Sequence, residues 1–272
     1  MELEGKIALV TGAGGGGPGG MGKGIAMVFA REGADIAVND IDPKLAEDTA
    51  EEIRAMGRRA IAIVADVTRE EEIGRMVDKV IGEWGGIDIL VNNVGLGLPI
   101  LIEDMTAEEW HSVVARNLYA PFYCAKAVIP TMKNRGGGKI ITISSMAGKK
   151  ITAMTGGSYT AAKAGVLGLT RQLAFELGPY HINVNAICPA AVVSSYRPTP
   201  PEQIEAMAKK IPIRRVTMSE DIGEAALFLA SERSRTITGI SLDVEGGTSV
   251  AMGDWDEYIR VRKEWVAKNR LT

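Results

Sequence analysis

Cysteine and histidine are scarce, with two of each among 272 residues. Cys124 and Cys188 lie far apart, at neither a metal-ligand spacing nor the density of a disulfide framework, so both are expected to be buried small hydrophobes. His111 sits at the exposed start of a helical segment and His181 follows a Gly-Pro-Tyr turn, so neither a metal site nor histidine catalysis is expected. Long apolar runs are missing too. Without a stretch of about eighteen apolar residues, and with "MELEGKIALV" entering a strand-like segment at once, the sequence reads as cytoplasmic, without a membrane span or secretion signal. A formal net charge of -3 gives no electrostatic reason for a nucleic-acid or anionic-membrane partner.

What is present suits a globular core: 46% of residues are hydrophobic and 24% charged. Apolar runs of strand length alternate with longer segments of helical period, the signature of right-handed βαβ units. The expected strands are "KIALVTG", "DIAVND", "AIAIVAD", "IDILVNN", "KIITISS", "INVNAICP" and "SLDVEG". Most lack polar alternation, as strands covered on both faces do. The fold class is therefore α/β, a doubly wound Rossmann fold with a seven-stranded parallel sheet. Asp42 with Pro43 opens one helix, and Thr68 with Glu71 and Thr106 with Glu109 each suggest a capping box. No linker interrupts the chain, so 1–272 is read as a single domain. Its core is 1–247, and residues 248–272 form an extension with Trp255, Tyr258 and Trp265 on an amphipathic helix.

Residues 11–24, "TGAGGGGPGGMGKG", follow a strand and precede the helical pattern "IAMVFAREGA". In that setting glycines let the backbone approach a pyrophosphate, and the helix N-terminus offers its free N–H groups. Asp40 ends the second expected strand, where an acid hydrogen-bonds the adenosine ribose and repels a 2′-phosphate. Ile41 follows it, and no Arg or Lys occurs within residues 12–20, so NAD is favoured over NADP. "SYTAAKAG" places Tyr159 and Lys163 four apart on one helix face, where an ammonium should stabilise a phenolate and allow proton exchange with an alcohol or carbonyl. Ser144 and Ser145 end the fifth expected strand, the edge where open α/β sheets collect ligands. Asn117 is a polar residue on an otherwise apolar helix face and needs a buried partner.

These ordered motifs, "TGA…GMG", "ADVT", "DILVNNVG", Asn117, "SS", "YTAAK" and "NVNAICP", resemble the short-chain dehydrogenase/reductase family from "GKIALVTGA" to "SLDVEGG". The resemblance implies that Tyr159 donates and accepts the proton, Lys163 lowers its pKa and holds the nicotinamide ribose, and Asn117 anchors a relay water. Ser145, with Gly148 in "S-x-x-G", becomes the substrate-orienting serine, with Ser144 the alternative; its distance to Tyr159 is one residue longer than the family pattern. For the cofactor it implies Gly12, Gly20, Met21 and Gly22 at the phosphates and Asp40 with Ile41 at the adenosine ribose. It further implies Asp66 and Val67 at the adenine, Asn93, Val94 and Gly95 beside the ribose, and Pro189, Val192 and Ser194 at the carboxamide. Ala190 departs from the family's glycine, and Gly14–Gly19 expand the phosphate loop by four residues. It also implies a homotetramer built on paired helices.

The resulting expectation is an NAD-dependent oxidoreductase that interconverts a secondary alcohol and a ketone. Alternatives are a 3-oxoacyl-thioester reductase, a type that generally uses NADPH, and a non-catalytic dinucleotide-binding regulator. Residues 192–215 form the expected substrate loop, with five basic and two acidic residues. Either an anionic substrate or a solvated charged lid suits that bias, while Met146 and Met154 suit an apolar alicyclic alcohol.

Overall fold

In β1 (Ile7–Val10), Ile7 and Leu9 enter one buried cluster and Ala8 and Val10 another, so every residue of the strand is apolar although its side chains alternate. The same division recurs along β2 (Asp35–Asp40), β3 (Ala60–Val64), β4 (Ile89–Asn92), β5 (Gly138–Ile143) and β6 (Ile182–Pro189), while the edge strand β9 (Ser241–Val244), after two short strands described below, packs only Leu242 and Val244, on one face. All neighbours pair in parallel in the order β3-β2-β1-β4-β5-β6-β9. The chain reverses direction across the sheet between β1 and β4, which opens a crevice at the carboxyl ends of the strands. This computed structural model describes residues 1–16, 20–152, 155–196, 199–251 and 255–269, the side chains of 255 and 269 excepted.

Helices α1 (Met21–Arg31), α2 (Pro43–Ala55) and α8 (Ser219–Ala230) cover one face of the sheet. The other carries α3 (Glu70–Trp84), α5 (Ala120–Asn134) and α6 (Gly157–Leu177). Asp42 caps α2 by accepting from the N–H groups of Lys44 and Leu45, with Pro43 at the start. Thr106 and Glu109 form the expected capping box on α4 (Ala107–Val114). The box expected at Thr68 is replaced: α3 begins at Glu70, and Thr68 instead donates its N–H and hydroxyl to Asp66 Oδ1. The box does not form because the helix starts later than the motif, with Arg69 at its N-cap, and Glu72 rather than Glu71 reaches back, accepting from the Asp66 N–H.

Two further departures bear on the site. The expected single helix around Asn117 contains a π-helical turn, Ala115–Tyr119, between α4 and α5. The expected substrate loop holds its own structure, with β7 (Val192–Val193) and α7 (Pro201–Ala208), and β7 pairs with β8 (Thr217–Met218) in a small second sheet. The C-terminal extension carries α9 (Trp255–Asn269), where Tyr258, Val261 and Trp265 are exposed. No helix among the described residues is long and apolar enough to cross a membrane.

Candidate active site

Helix α1 starts at Met21, directly after Gly20 in the left-handed conformation (φ 57°), so Gly20 and Gly22 stand at the helix start. Gly22 is obligatory there: a Cβ would lie 2.2 Å from the Gly12 carbonyl oxygen and 2.5 Å from Asn93 Nδ2. Asn93 in turn donates from Nδ2 to the carbonyls of Thr11 and Gly12, each at 3.1 Å, clamping the end of β4 to the glycine loop. At the end of β2, Asp40 Oδ2 accepts from the Gly14 N–H at 2.9 Å and Oδ1 from the Asp42 N–H at 3.1 Å. Asp40 therefore does not cap α2; that is Asp42's role. Gly14, first of the expanded loop, packs so closely that a Cβ would sit 2.7 Å from Asp40 Oδ2 and 2.6 Å from Leu45 Cβ. Gly17, Pro18 and Gly19 of the expansion lie outside the described residues.

Across the crevice, Lys163 is fully buried in α6 and donates from Nζ to the Ile143 carbonyl at 2.8 Å. Burial pushes its pKa down to about 8. Ser144, also buried, donates to the Lys163 carbonyl at 3.0 Å, which commits it to holding α6 against β5. Ser145 instead hydrogen-bonds Tyr159. Its hydroxyl also accepts from the Ala147 N–H at 3.1 Å, in a 3₁₀ turn that aims it into the crevice. The Tyr159 pKa is raised, chiefly by burial, and the Ser145 hydrogen bond pulls it back. This differs from the sequence expectation of a phenol lowered by its lysine. The Lys163 ammonium stands 5.5 Å over the Tyr159 ring and gives one of its three N–H donors to the Ile143 carbonyl.

The π-helical turn presents Asn117, whose Nδ2 donates to the carbonyls of Val113 (2.7 Å) and Leu96 (2.9 Å). Its Oδ1 is buried without a protein partner. Gly95 faces that oxygen: a Cβ there would lie 2.6 Å from Asn117 Oδ1 and 2.9 Å from Lys163 Nζ. Asn117, Lys163, Tyr159 and Ser145 thus converge at the carboxyl edge of β4 and β5, on the side of the sheet that also carries Asp40 and the glycine loop.

A family model described as enoyl-(acyl carrier protein) reductase matches residues 16–249. The chain is 39% identical over 250 residues to 7α-hydroxysteroid dehydrogenase of Escherichia coli, covering 91% of this chain and 95% of that protein. It is 38% identical over 244 residues to 3-oxoacyl-(acyl-carrier-protein) reductase of Staphylococcus epidermidis, covering 89% and 98%. Among solved structures, 7α-hydroxysteroid dehydrogenase complexed with NADH and 7-oxo glycochenodeoxycholic acid matches with TM-score 0.81 and 37% identity, covering 90% of this chain and 95% of that one. A short-chain type dehydrogenase/reductase from Mycobacterium marinum matches with TM-score 0.82 and 34% identity, covering 92% and 97%. The chain belongs to the short-chain dehydrogenase/reductase family.

The other predicted residues of this short-chain dehydrogenase/reductase surround the same crevice. Asp66 follows β3, its carboxylate turned to Thr68, while Val67 is buried in the core and leaves its backbone as the available contact. Val94 packs over Gly12, and Ile41 is exposed beyond Asp40. Pro189 ends β6, Val192 lies in β7, and Ser194 is buried so close to Gly20 that a Cβ on the glycine would touch its Oγ. Met154 lies outside the described residues, and Met146 is buried, so it packs the turn. Cys188, expected to be a buried small hydrophobe, is buried beneath the site and hydrogen-bonds Ser144 and the Ser145 backbone.

Sequence reasoning missed Lys23 and Tyr196. The Lys23 stem lies against Gly15, its ammonium pairs with Glu52 at 2.7 Å, and it stands 4.8 Å from the centre of the Tyr196 ring. This stack joins the glycine loop to the segment after β7. A lysine in the first turn of the helix that follows the glycines was the available signal. Among the described residues no group of His, Cys, Asp and Glu could hold a metal ion.

Proposed function

We propose that this protein is an NAD-dependent oxidoreductase that interconverts a secondary alcohol and a ketone, with Tyr159 as general acid and base. The observation that carries the reading is the convergence of Tyr159 with Ser145, the buried Lys163 and Asn117 at the ligand-collecting edge of the sheet. A nicotinamide dinucleotide fits the residues present. Gly12, Gly20, Met21 and Gly22 would receive the pyrophosphate at the start of α1, and Asp40 the adenosine hydroxyls. Asp66, Val67, Asn93, Val94 and Gly95 would flank the adenosine, and Pro189, Val192 and Ser194 the carboxamide. When bound, the nicotinamide supplies the hydride acceptor or donor, and the chain supplies orientation and proton transfer.

For oxidation, the Tyr159 phenolate takes the hydroxyl proton while Ser145 hydrogen-bonds the same oxygen. The Lys163 ammonium, with two N–H donors beyond the one given to Ile143, would hold the nicotinamide ribose and stabilise the phenolate. Asn117 Oδ1, which has no protein donor, would anchor a water that passes the proton past Gly95 to solvent. Asp40 argues for NAD, since a 2′-phosphate would face a carboxylate. Lys23, the cation against the loop, is already paired with Glu52.

The second reading, an NADPH-dependent reductase of 3-oxoacyl thioesters, is favoured by the acyl-carrier-protein reductase among the relatives and by the family model's description. Parallel titrations with NADH and NADPH separate the two: tighter NADH binding supports the first reading and tighter NADPH binding the second. A non-catalytic regulator would have no need of the four-residue cluster. We also propose a cytoplasmic homotetramer, consistent with exposed Tyr119 and Phe122 at the π-turn and α5 and Phe175 on α6.

A further inference from the structure

The segment that follows β7 is fastened to the starts of two helices. Ser194 and Tyr196 rest on Gly20, where a Cβ would touch Ser194 Oγ and lie 3.3 Å from Tyr196 Cδ2. Ser195 donates its N–H to Ser219 Oγ at 3.2 Å and its hydroxyl to Glu220, both in the first turn of α8. Gly24 of α1 packs in turn on Ser219, where a Cβ would sit 2.7 Å from the carbonyl oxygen.

Tyr196 completes this junction. Its N–H donates to Ser194 Oγ at 3.1 Å, its ring centre lies 4.8 Å from the Lys23 ammonium, and its phenol hydrogen-bonds Glu220. Two carboxylates act on the phenol, Glu220 and Glu52. Glu52 is paired with Lys23 at 2.7 Å, and Glu220 accepts from the Ser195 hydroxyl as well as from the phenol. Burial and these carboxylates push the Tyr196 pKa up to about 12, so the phenol stays protonated and remains a donor. The Lys23 stem, meanwhile, covers Gly15 of the glycine loop.

The groups joined here are those proposed for opposite ends of the cofactor, Gly20 for the pyrophosphate and Ser194 for the carboxamide. Ordering them at the moment of binding would weaken affinity, and fixing them beforehand avoids that loss. Resting on the dinucleotide reading, we propose that Tyr196 is a positioning residue: its ring, held by Gly20 and the Lys23 ammonium, keeps Ser194 and the glycine loop as one preformed unit that receives the cofactor.

The test uses the full chain in two measurements. Amide exchange of Ser195 and Tyr196, followed by NMR without cofactor, reads whether the unit is preformed; both amides should be protected in the wild type and exchange about tenfold faster in Tyr196→Leu. NADH titration reads its use: Tyr196→Leu should bind about tenfold more weakly, while Tyr196→Phe, which keeps the ring, should stay within about twofold of the wild type. Lys23→Met should weaken NADH binding about threefold in the wild type and have little effect in Tyr196→Leu, because both act through one stack. A direct effect of the Lys23 charge on the phosphates would persist in Tyr196→Leu, and such additivity overturns the proposal. Unprotected wild-type amides, equal NADH binding by Tyr196→Leu, or a Tyr196→Phe as weak as Tyr196→Leu also overturn it, with the dinucleotide reading intact. A wild type that binds neither NADH nor NADPH contradicts that reading before any variant is compared, and the role of Tyr196 falls with it.

Discussion

The Tyr159 phenol is pulled two ways: burial raises its pKa and the Ser145 hydrogen bond lowers it. Removing that bond in Ser145→Ala leaves burial unopposed, so the alkaline rise of alcohol oxidation should move to higher pH, read from the kcat/KM profile. Lys163 carries a second pH signature. Burial holds it at about 8 against an ordinary 10.5. The unfolded chain therefore binds the proton more tightly than the folded one, and the cost of the buried charge is full below pH 8 and fades as pH rises towards 10.5. Relative to Lys163→Met, the wild type should gain on the order of 3 kcal/mol across that window, measured as the difference in urea unfolding between the two proteins. A constant difference would contradict it. Gly14 sets a third expectation, because its N–H holds Asp40 and its missing side chain leaves room for the carboxylate. Gly14→Ala should displace Asp40 and weaken NADH binding about tenfold, with NADPH binding weakened less, so the preference narrows.

The strand–loop–helix unit from β1 to α1 is where element geometry decides function. A Cβ on Gly22 would overlap the Gly12 carbonyl at 2.2 Å, an overlap with backbone that no rotamer relieves. Gly22→Ala should abolish cofactor binding with the far-UV circular dichroism retained, since the sheet does not depend on the loop. The unit was largely legible in sequence: "KIALVTG", the glycines and Asp40 occur in the order a phosphate loop requires, and the helix begins where Gly20 and Gly22 place it. The π-helical turn was not, because "ARNLY" differs from ordinary helix neither in propensity nor in apolar period. What produces it is tertiary: Asn117 satisfies Nδ2 on Leu96 of another segment as well as on Val113. The Thr68 box failed because α3 starts later, with Arg69 at its N-cap, and Glu72 rather than Glu71 reaches back to the Asp66 N–H.

At the scale of the molecule, six of the seven parallel strands were readable because burial on both faces removes polar alternation and leaves conspicuous apolar runs, while β9 at the edge keeps the alternation of a strand packed on one face. Ion pairing was unreadable. The sequence displays an excess of basic residues in 192–215, but Asp256 and Asp221, which pair with Arg214 and Arg215, come from α9 and α8. Likewise the raised Tyr159 pKa depends on burial created by the whole fold. The central claim is that Tyr159 carries the proton in an NAD-linked alcohol–ketone interconversion. The most direct measurement follows NADH absorbance during reduction of a ketone panel by wild type and Tyr159→Phe, with NADH affinity determined for both. The account predicts NADH oxidation by the wild type, a loss of at least about a hundredfold in kcat for Tyr159→Phe, and equal NADH binding. Full turnover by Tyr159→Phe, or a wild type that binds NADH and reduces no ketone, would contradict it.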